Sequence, residues 1–348
     1  MKIYLVGGCV RDKLLGKKCK DRDFVVFGCS EEEFFKRFPR AKKVGKKVPV
    51  YLVGRNEYTI SEYDNIMDDL MSRDLTINAI AEDENKKLYY HPFALNDLEN
   101  KILRAISLEN FKKDPLRVLR LARFYAQLPD FSIEKYSYEI LKKVGRDESL
   151  MKKVAKERVA QEVLKAIRAK KPSNFFSLLM ETGATGYWFS ELLYLKKNKE
   201  WMAVMDTCNA NEICAWMCLA YGFVKNYDDI NNAIQPFKNM SKKIGLPKKI
   251  ISGGVSFITN YLKAMEFFLA GPDIKRDLLY SLDREGLVES FFYVMEKITK
   301  NNYMDKVNFL LMKIKQIKLP DEYKGLGPES GEILRNMQIK EIEKWSNS

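Results

Sequence analysis

The sequence predicts an α+β chain, with a small mixed sheet and its helices over residues 1–108 and an elongated all-α region after it. Three observations carry this. A short apolar run, Ile3-Tyr4-Leu5-Val6, stops abruptly at Gly7-Gly8, as a buried strand entering a tight turn does. Further short β-rich runs recur as far as Ile102. Beyond residue 108 the apolar spacing takes a helical period and keeps it, with no fixed-period repeat and no low-complexity tract.

Taken in order, the first strand leads through Gly7-Gly8 into a helix bearing Arg11, and a second strand follows Asp21-Arg22-Asp23. Residues 30–38 form a helix with Ser30 as cap and Glu33 closing a capping box. Strands at 48–53 and 57–63 flank the turn Gly54-Arg55-Asn56. Residues 68–81 read as one helix with Leu75, Asn78 and Ala79 on a common face and Arg73-Asp74 at its approach. A strand at 87–90, a helical turn at 95–99 and a strand at 102–104 complete the head.

Residues 111–124 read as a single strong helix, with Pro115 in the first turn and Asp114 as N-cap. Arg117 and Arg120 lie three apart and share a face, an unfavourable pairing unless an anion such as a nucleoside triphosphate lies between them. Helices follow at 134–145, 157–169, 173–182 and 212–223. Breaks are expected near Gly183, Gly245-Leu246-Pro247, Gly253-Gly254, Gly271-Pro272 and Pro320.

The chemistry concentrates at the N-terminus. Gly7 and Gly8 remove side chains where backbone amides could approach a phosphate, and Arg11 adds a guanidinium to the same anion. Asp21 and Asp23 alternate along a strand, so their carboxylates project together and repel unless a cation lies between them. Magnesium, which takes oxygen ligands and shares them with substrate phosphates, is the natural occupant. The order strand, Gly-Gly, helix with Arg, strand with Asp-x-Asp is that of a nucleotidyl-transfer metal site.

Composition bounds the alternatives. The chain has 348 residues, 46% hydrophobic and 31% charged, and it contains no apolar run long enough to span a bilayer. A net charge of +13 points to a polyanionic partner. Two basic clusters reinforce that reading: Lys36, Arg37, Arg40, Lys42, Lys43, Lys46 and Lys47, then Lys238, Lys242, Lys243, Lys248 and Lys249. Six cysteines without a Cys-x-x-Cys, and an N-terminus without a signal-peptide pattern, predict reduced thiols in a cytoplasmic protein. The single histidine, His91, excludes histidine-rich zinc and His/Asp hydrolase sites.

These motifs together resemble the class II (bacterial-type) tRNA nucleotidyltransferases, the CCA-adding enzymes, whose head is shared with bacterial poly(A) polymerases. The matching pieces are Leu5-Val-Gly-Gly-Cys-Val-Arg-Asp12, Asp21-Arg-Asp23, Arg73-Asp-Leu-Thr-Ile-Asn78-Ala79 and Asp114-Pro-Leu-Arg117-Val-Leu-Arg120-Leu-Ala-Arg123-Phe124. A weaker match follows at Glu157-Arg158-Val159-x-x-Glu162, and another at Gly325-Leu-Gly327-Pro328 near the C-terminus. The resemblance implies a polymerase-β-like nucleotidyltransferase head at 1–108, a nucleotide-selecting neck at 109–170, a helical body at 171–268 and a tRNA-binding tail at 269–348. It implies Asp21 and Asp23 as catalytic Mg2+ ligands, and Gly8, Arg11, Arg73, Asp114, Arg117 and Arg120 around the nucleotide. Asp114 and Arg117 would read the base in place of a template. CTP, ATP and tRNA would be the partners, with no membrane and no zinc.

Four departures from the family pattern bear on activity. Lys113 stands where the family carries a glutamate that orients the reading arginine, and His91-Pro92 replaces Asp-Pro. The segment before Arg73 is short, which raises the alternative of CC addition only; within it Glu62 and Asp64 are candidates for a third carboxylate. Residues 215–223, where some relatives carry a phosphohydrolase, contain no histidine, so no phosphatase activity is expected. A poly(A) polymerase and an inactive tRNA-binding module remain the other readings.

Overall fold

The computed structural model describes residues 1–19, 22–45, 49–196, 199–227 and 229–346. The chain resolves into two compact units. The first comprises residues 1–162 and 174–187, and the second comprises 163–173 and 188–348.

The first unit opens with β1 (Lys2–Val6), α1 (Gly8–Leu14), β2 (Arg22–Phe27) and α2 (Glu31–Arg37). Then come β3 (Lys42–Val44), β4 (Val50–Val53), β5 (Asn56–Ile60), α3 (Ile66–Met71), β6 (Ile80–Glu82) and β7 (Leu88–Tyr90). These strands form one sheet in the order β3-β4-β5-β2-β1-β6-β7, parallel only between β2 and β5, so the sheet is mixed as expected. Alternation along β2 sorts the two faces. Val25 and Phe27 join Tyr4, Val6, Ile66 and Leu70 on one side, while Val26 joins Phe34, Tyr51 and Tyr58 on the other. Ser30 caps α2 and Glu33 completes the box.

The remaining elements of this unit are α4 (Ala94–Glu99), β8 (Ile102–Leu103), α5 (Leu108–Lys113), α6 (Leu116–Gln127), β9 (Ser132–Ile133), α7 (Lys135–Gly145) and α8 (Glu148–Met151). Helices α9 (Lys156–Ile167) and α10 (Ser173–Thr182) follow. The second unit is helical: α11 (Glu200–Met205), α12 (Glu212–Asn226), α13 (Ile230–Ile244), α14 (Lys248–Met265), α15 (Pro272–Glu285), α16 (Val288–Thr299), α17 (Met304–Gln316) and α18 (Pro328–Ser346). No helix among the described residues is long and apolar enough to cross a membrane.

The structure corrects four sequence expectations. Residues 68–81 are not one helix, because α3 ends at Met71 and the chain pairs with the 104–106 segment instead. Thr76 N–H donates to the Arg104 carbonyl, Ile106 N–H donates to that of Asp74, and Leu75 bridges Ala105. A short 3-10 turn, Thr76–Asn78, then delivers β6 to β1. Residues 111–124 are likewise two helices. Asp114 precedes a proline, which drives it out of the α region to φ −134°, ψ 92°, and no side-chain cap is made by the residue.

Gly253-Gly254 does not break the chain but lies inside α14. A Cβ at Gly253 would meet Ile213 Cγ2 at 2.8 Å and one at Gly254 would overlap the Phe237 ring, so both glycines serve close helix packing. Finally, the expectation of reduced thiols fails for four cysteines. The structure joins Cys9 to Cys19 and Cys208 to Cys214, with Cα separations of 4.8 and 5.8 Å, and leaves Cys29 and Cys218 as thiols. Both joined pairs bring a helix start against a nearby turn, a proximity that spacing alone does not reveal.

Since Phe237 is fully buried, the Gly254→Ala variant is expected to lose about 1–3 kcal/mol of stability through overpacking, despite alanine's better helix propensity. Urea unfolding of the two proteins measures it.

Candidate functional site

The register of the sheet builds the site. Val6, the last residue of β1, lies directly across from Asp23 near the start of β2. The glycine turn that leaves β1 therefore begins beside this carboxylate. Gly7 takes φ +67°, which favours glycine, and a Cβ there would lie 3.1 Å from Arg73 Nη1. Its N–H donates to the Ile80 carbonyl, tying the turn to β6.

Around this turn lies a cavity of about 410 Å3. It is lined by six guanidiniums (Arg11, Arg73, Arg117, Arg120, Arg123 and Arg158) and, among the described residues, three carboxylates: Asp23, Asp74 and Asp114. An excess of fixed cations in a concave wall suits a polyphosphate. A second cavity of about 580 Å3 shares Gly8, Arg11, Asp23 and Gln127 with the first and adds Lys17 and Lys18. Asp23 thus stands between two spaces, as a group serving two substrates would.

Each arginine is held by identifiable partners. Arg11 is nearly buried, donates from Nη1 to Asn78 Oδ1 at 2.7 Å and from Nε and Nη2 to Asp12 Oδ1. Arg73 donates to Asp69 Oδ2 at 2.8 and 3.0 Å. Arg117 is held by backbone: its Nη1 donates to the carbonyls of Ser72 and Arg73 at 2.7 and 2.9 Å, just past the end of α3. Arg120 donates from Nε to Asp74 Oδ2 at 2.7 Å, and Arg123 donates to Glu162. Arg158 grips Asp114 through both nitrogens, Nη1 to Oδ1 at 3.1 Å and Nη2 to Oδ2 at 2.8 Å.

Asp74 is 5% exposed. Burial alone would push its carboxyl up, but Arg120 beside it and hydrogen bonds from Asn78, Arg120 and Leu75 N–H hold it at about 2. It is the structural counter-ion of the cavity. Burial lowers Arg117 somewhat, while Asp74 and Asp114 act against that.

Of the residues singled out from sequence, Gly8, Arg11, Asp23, Arg73, Asp114, Arg117 and Arg120 all line this one cavity. Asp21 lies outside the described residues. Lys113 is exposed and does not line the cavity, nor do Glu62 and Asp64, which sit exposed in the bend before α3. His91 is buried away from it, where its Nδ1 accepts from Phe93 N–H and burial lowers its pKa. Sequence reasoning gave no role to Asn78, Phe124, Gln127 or Arg158, all of which line the cavity. The Glu157-Arg158 pair was visible as part of a motif, whereas Gln127 carries no sequence signal.

The model of the poly A polymerase head domain matches residues 3–60, the segment that carries β1, the glycine turn and Asp23. Residues 130–195 match a second model, described as a probable RNA and SrmB-binding site of polymerase A. The CCA-adding enzyme of Coxiella burnetii (strain RSA 331 / Henzerling II) is 39% identical over 215 residues, 55% of this chain and 55% of that protein. That alignment spans about half the length of each. The multifunctional CCA protein of Acinetobacter baumannii (strain SDF) is 28% identical over 415 residues, 100% of this chain and 98% of that protein. A CCA-adding enzyme solved in complex with ATP shares the fold, with a TM-score of 0.72 at 24% identity over 98% of this chain and 86% of the other.

At this cavity, Asp74→Asn leaves the Arg120 guanidinium with only the more distant Glu162 carboxylate, 3.8 Å away, as a charge partner. We expect a loss of roughly 2–4 kcal/mol at neutral pH. Because the native carboxyl is depressed from 3.8 to about 2, its contribution is full above about pH 4 and is lost as pH falls through 2. Urea unfolding of wild type and variant between pH 7 and 2.5 should show the gap narrowing toward the acid end.

Proposed function

We propose that this protein is a template-independent tRNA 3′-end nucleotidyltransferase that adds CCA from CTP and ATP. One observation carries the reading: the glycine turn, Asp23 and six guanidiniums surround a single cavity beside a second one that shares Asp23. The named relatives are a CCA-adding enzyme and a multifunctional CCA protein, which supports the same assignment.

In this reading the triphosphate lies against Gly8, Arg11 and Arg73, and Arg120 faces its charge from α6. The base is read by Asp114, an acceptor, and Arg117, a donor, a polarity that matches the exocyclic amine and ring nitrogen presented alike by cytosine and adenine. The 3′-hydroxyl of tRNA approaches through the adjoining cavity and attacks the α-phosphorus; a new P–O bond forms, the α–β bridge breaks and pyrophosphate leaves. Asp23 offers hard oxygen donors facing the phosphate cradle, the donor type that divalent metal of the magnesium kind prefers, with Asp21 as its partner. When bound, Mg2+ would lower the hydroxyl's pKa and neutralise charge at the α-phosphate and departing pyrophosphate.

The division into head (1–108), neck (109–170), body (171–268) and tail (269–348) belongs to this proposal, with body and tail following the tRNA backbone through exposed lysines such as Lys242, Lys248 and Lys249. A cytoplasmic location follows from that substrate. CC addition alone is the second reading, favoured by the brevity of the segment between β5 and Arg73, where only residues 61–65 separate the strand from α3.

The test supplies magnesium and a tRNA ending at its discriminator base, with CTP, ATP, UTP and GTP singly and combined, and reads product length on a sequencing gel. Three residues requiring CTP and ATP together are expected; a stop after two C residues would establish the second reading. Asp23→Ala and Asp21→Ala should each abolish transfer while leaving the melting temperature unchanged, and retained transfer in either would overturn the metal assignment.

A further inference from the structure

The proposed base readers, Asp114 and Arg117, carry opposite charge and lie three residues apart, Asp114 in extended backbone just before α6 and Arg117 in its first turn. A carboxylate and a guanidinium so near in sequence attract, and if they closed on each other each would consume the hydrogen-bonding capacity the other needs for a base. The structure shows neither doing so. Arg117 is drawn off by the Ser72 and Arg73 carbonyls, and Asp114 is drawn off by the two-pronged grip of Arg158.

We propose that Arg158 is a specificity-determining positioning residue, which holds the Asp114 carboxylate open toward the cavity and so sets discrimination of C and A against U and G. The inference rests on the base-reading role proposed above. Arg158 takes one lone pair from each carboxylate oxygen, fixes the carboxylate plane and leaves a second lone pair on each for a donor in the cavity. A cytosine or adenine amine satisfies that acceptor. The carbonyl that uracil or guanine presents at the same place is repelled by it.

Stability alone does not account for the pair. The Arg158 side chain is half exposed and that of Asp114 more than a quarter, a setting in which ion pairs contribute little to folding. Its geometry does matter, since a planar fork fixes a carboxylate's orientation and an ammonium does not. Nor is the work shared by Lys113, which is exposed and off the cavity.

The experiment measures kcat/KM for single addition of CTP and of UTP to a tRNA ending at its discriminator base, with KM for tRNA and melting temperature, in wild type, Arg158→Met, Arg158→Lys and Asp114→Ala. Arg158→Met should lower kcat/KM for CTP about tenfold and narrow the CTP-to-UTP ratio about as much, with KM for tRNA unchanged. Arg158→Lys should recover part of the rate but little of the ratio. If Asp114→Ala narrows the ratio while both Arg158 variants keep the wild-type value, the inference fails and the reader role of Asp114 stands. A rise in KM for tRNA with an unaltered ratio would make Arg158 a backbone contact and overturn it. If Asp114→Ala itself leaves the ratio unchanged, the base-reading proposal falls, and this inference with it.

Discussion

The buried contact between Asp74 and Arg120 is what permits the rest of the site. Six guanidiniums around one cavity repel one another, and the Asp74 carboxylate offsets that repulsion while tying α6 to the turn that follows α3. Asp74 supplies that anion at small conformational cost, because its backbone is already committed to the 104–106 segment through the carbonyl that Ile106 N–H binds. Of the adjacent Arg73-Asp74 pair, the carboxylate is therefore the most deeply buried charge of the cavity wall. The other half, Arg73, turns the opposite way, to Asp69.

Much of the head was legible because its signals are local. A strand that ends in two glycines, a capping box and a hairpin turn each constrain their own neighbourhood, and the mixed sheet followed. The helix assigned to 68–81 failed for the opposite reason: residues 74–76 pair with a segment about thirty residues ahead, which no periodicity registers. The split at Asp114 was within reach, since the residue before a proline is disfavoured in a helix, but the apolar period on both sides masked it. The glycine pair at 253–254 shows the same ambiguity in reverse, since two glycines in a row mark a break or a close approach, and only the partner ring of Phe237 decides which.

At the site, the residues that bind by type were readable, and those that act by holding another residue were not. Arginines, glycines and Asp23 announce affinity for phosphate and metal through their own chemistry. Arg158 sits on α9, more than forty residues beyond the carboxylate that it grips, and its meaning lies entirely in that pairing. Asn78 is similar, accepting from Arg11 while donating to Asp74, so that one amide links the glycine turn to the buried counter-ion. Such couplings are properties of the folded register rather than of any segment.

The anchoring of Arg117 has a consequence for how this site can change over generations. A guanidinium steadied by a glutamate can be set loose by a single codon change in that glutamate. One steadied by the Ser72 and Arg73 carbonyls keeps its acceptors whatever side chains stand at those positions, so long as α3 still ends there. The side chain at position 113, an exposed lysine, takes no part in that anchoring. Selection on this arginine's geometry falls on the length and ending of a short helix, a target that insertions and deletions reach more readily than point mutations do.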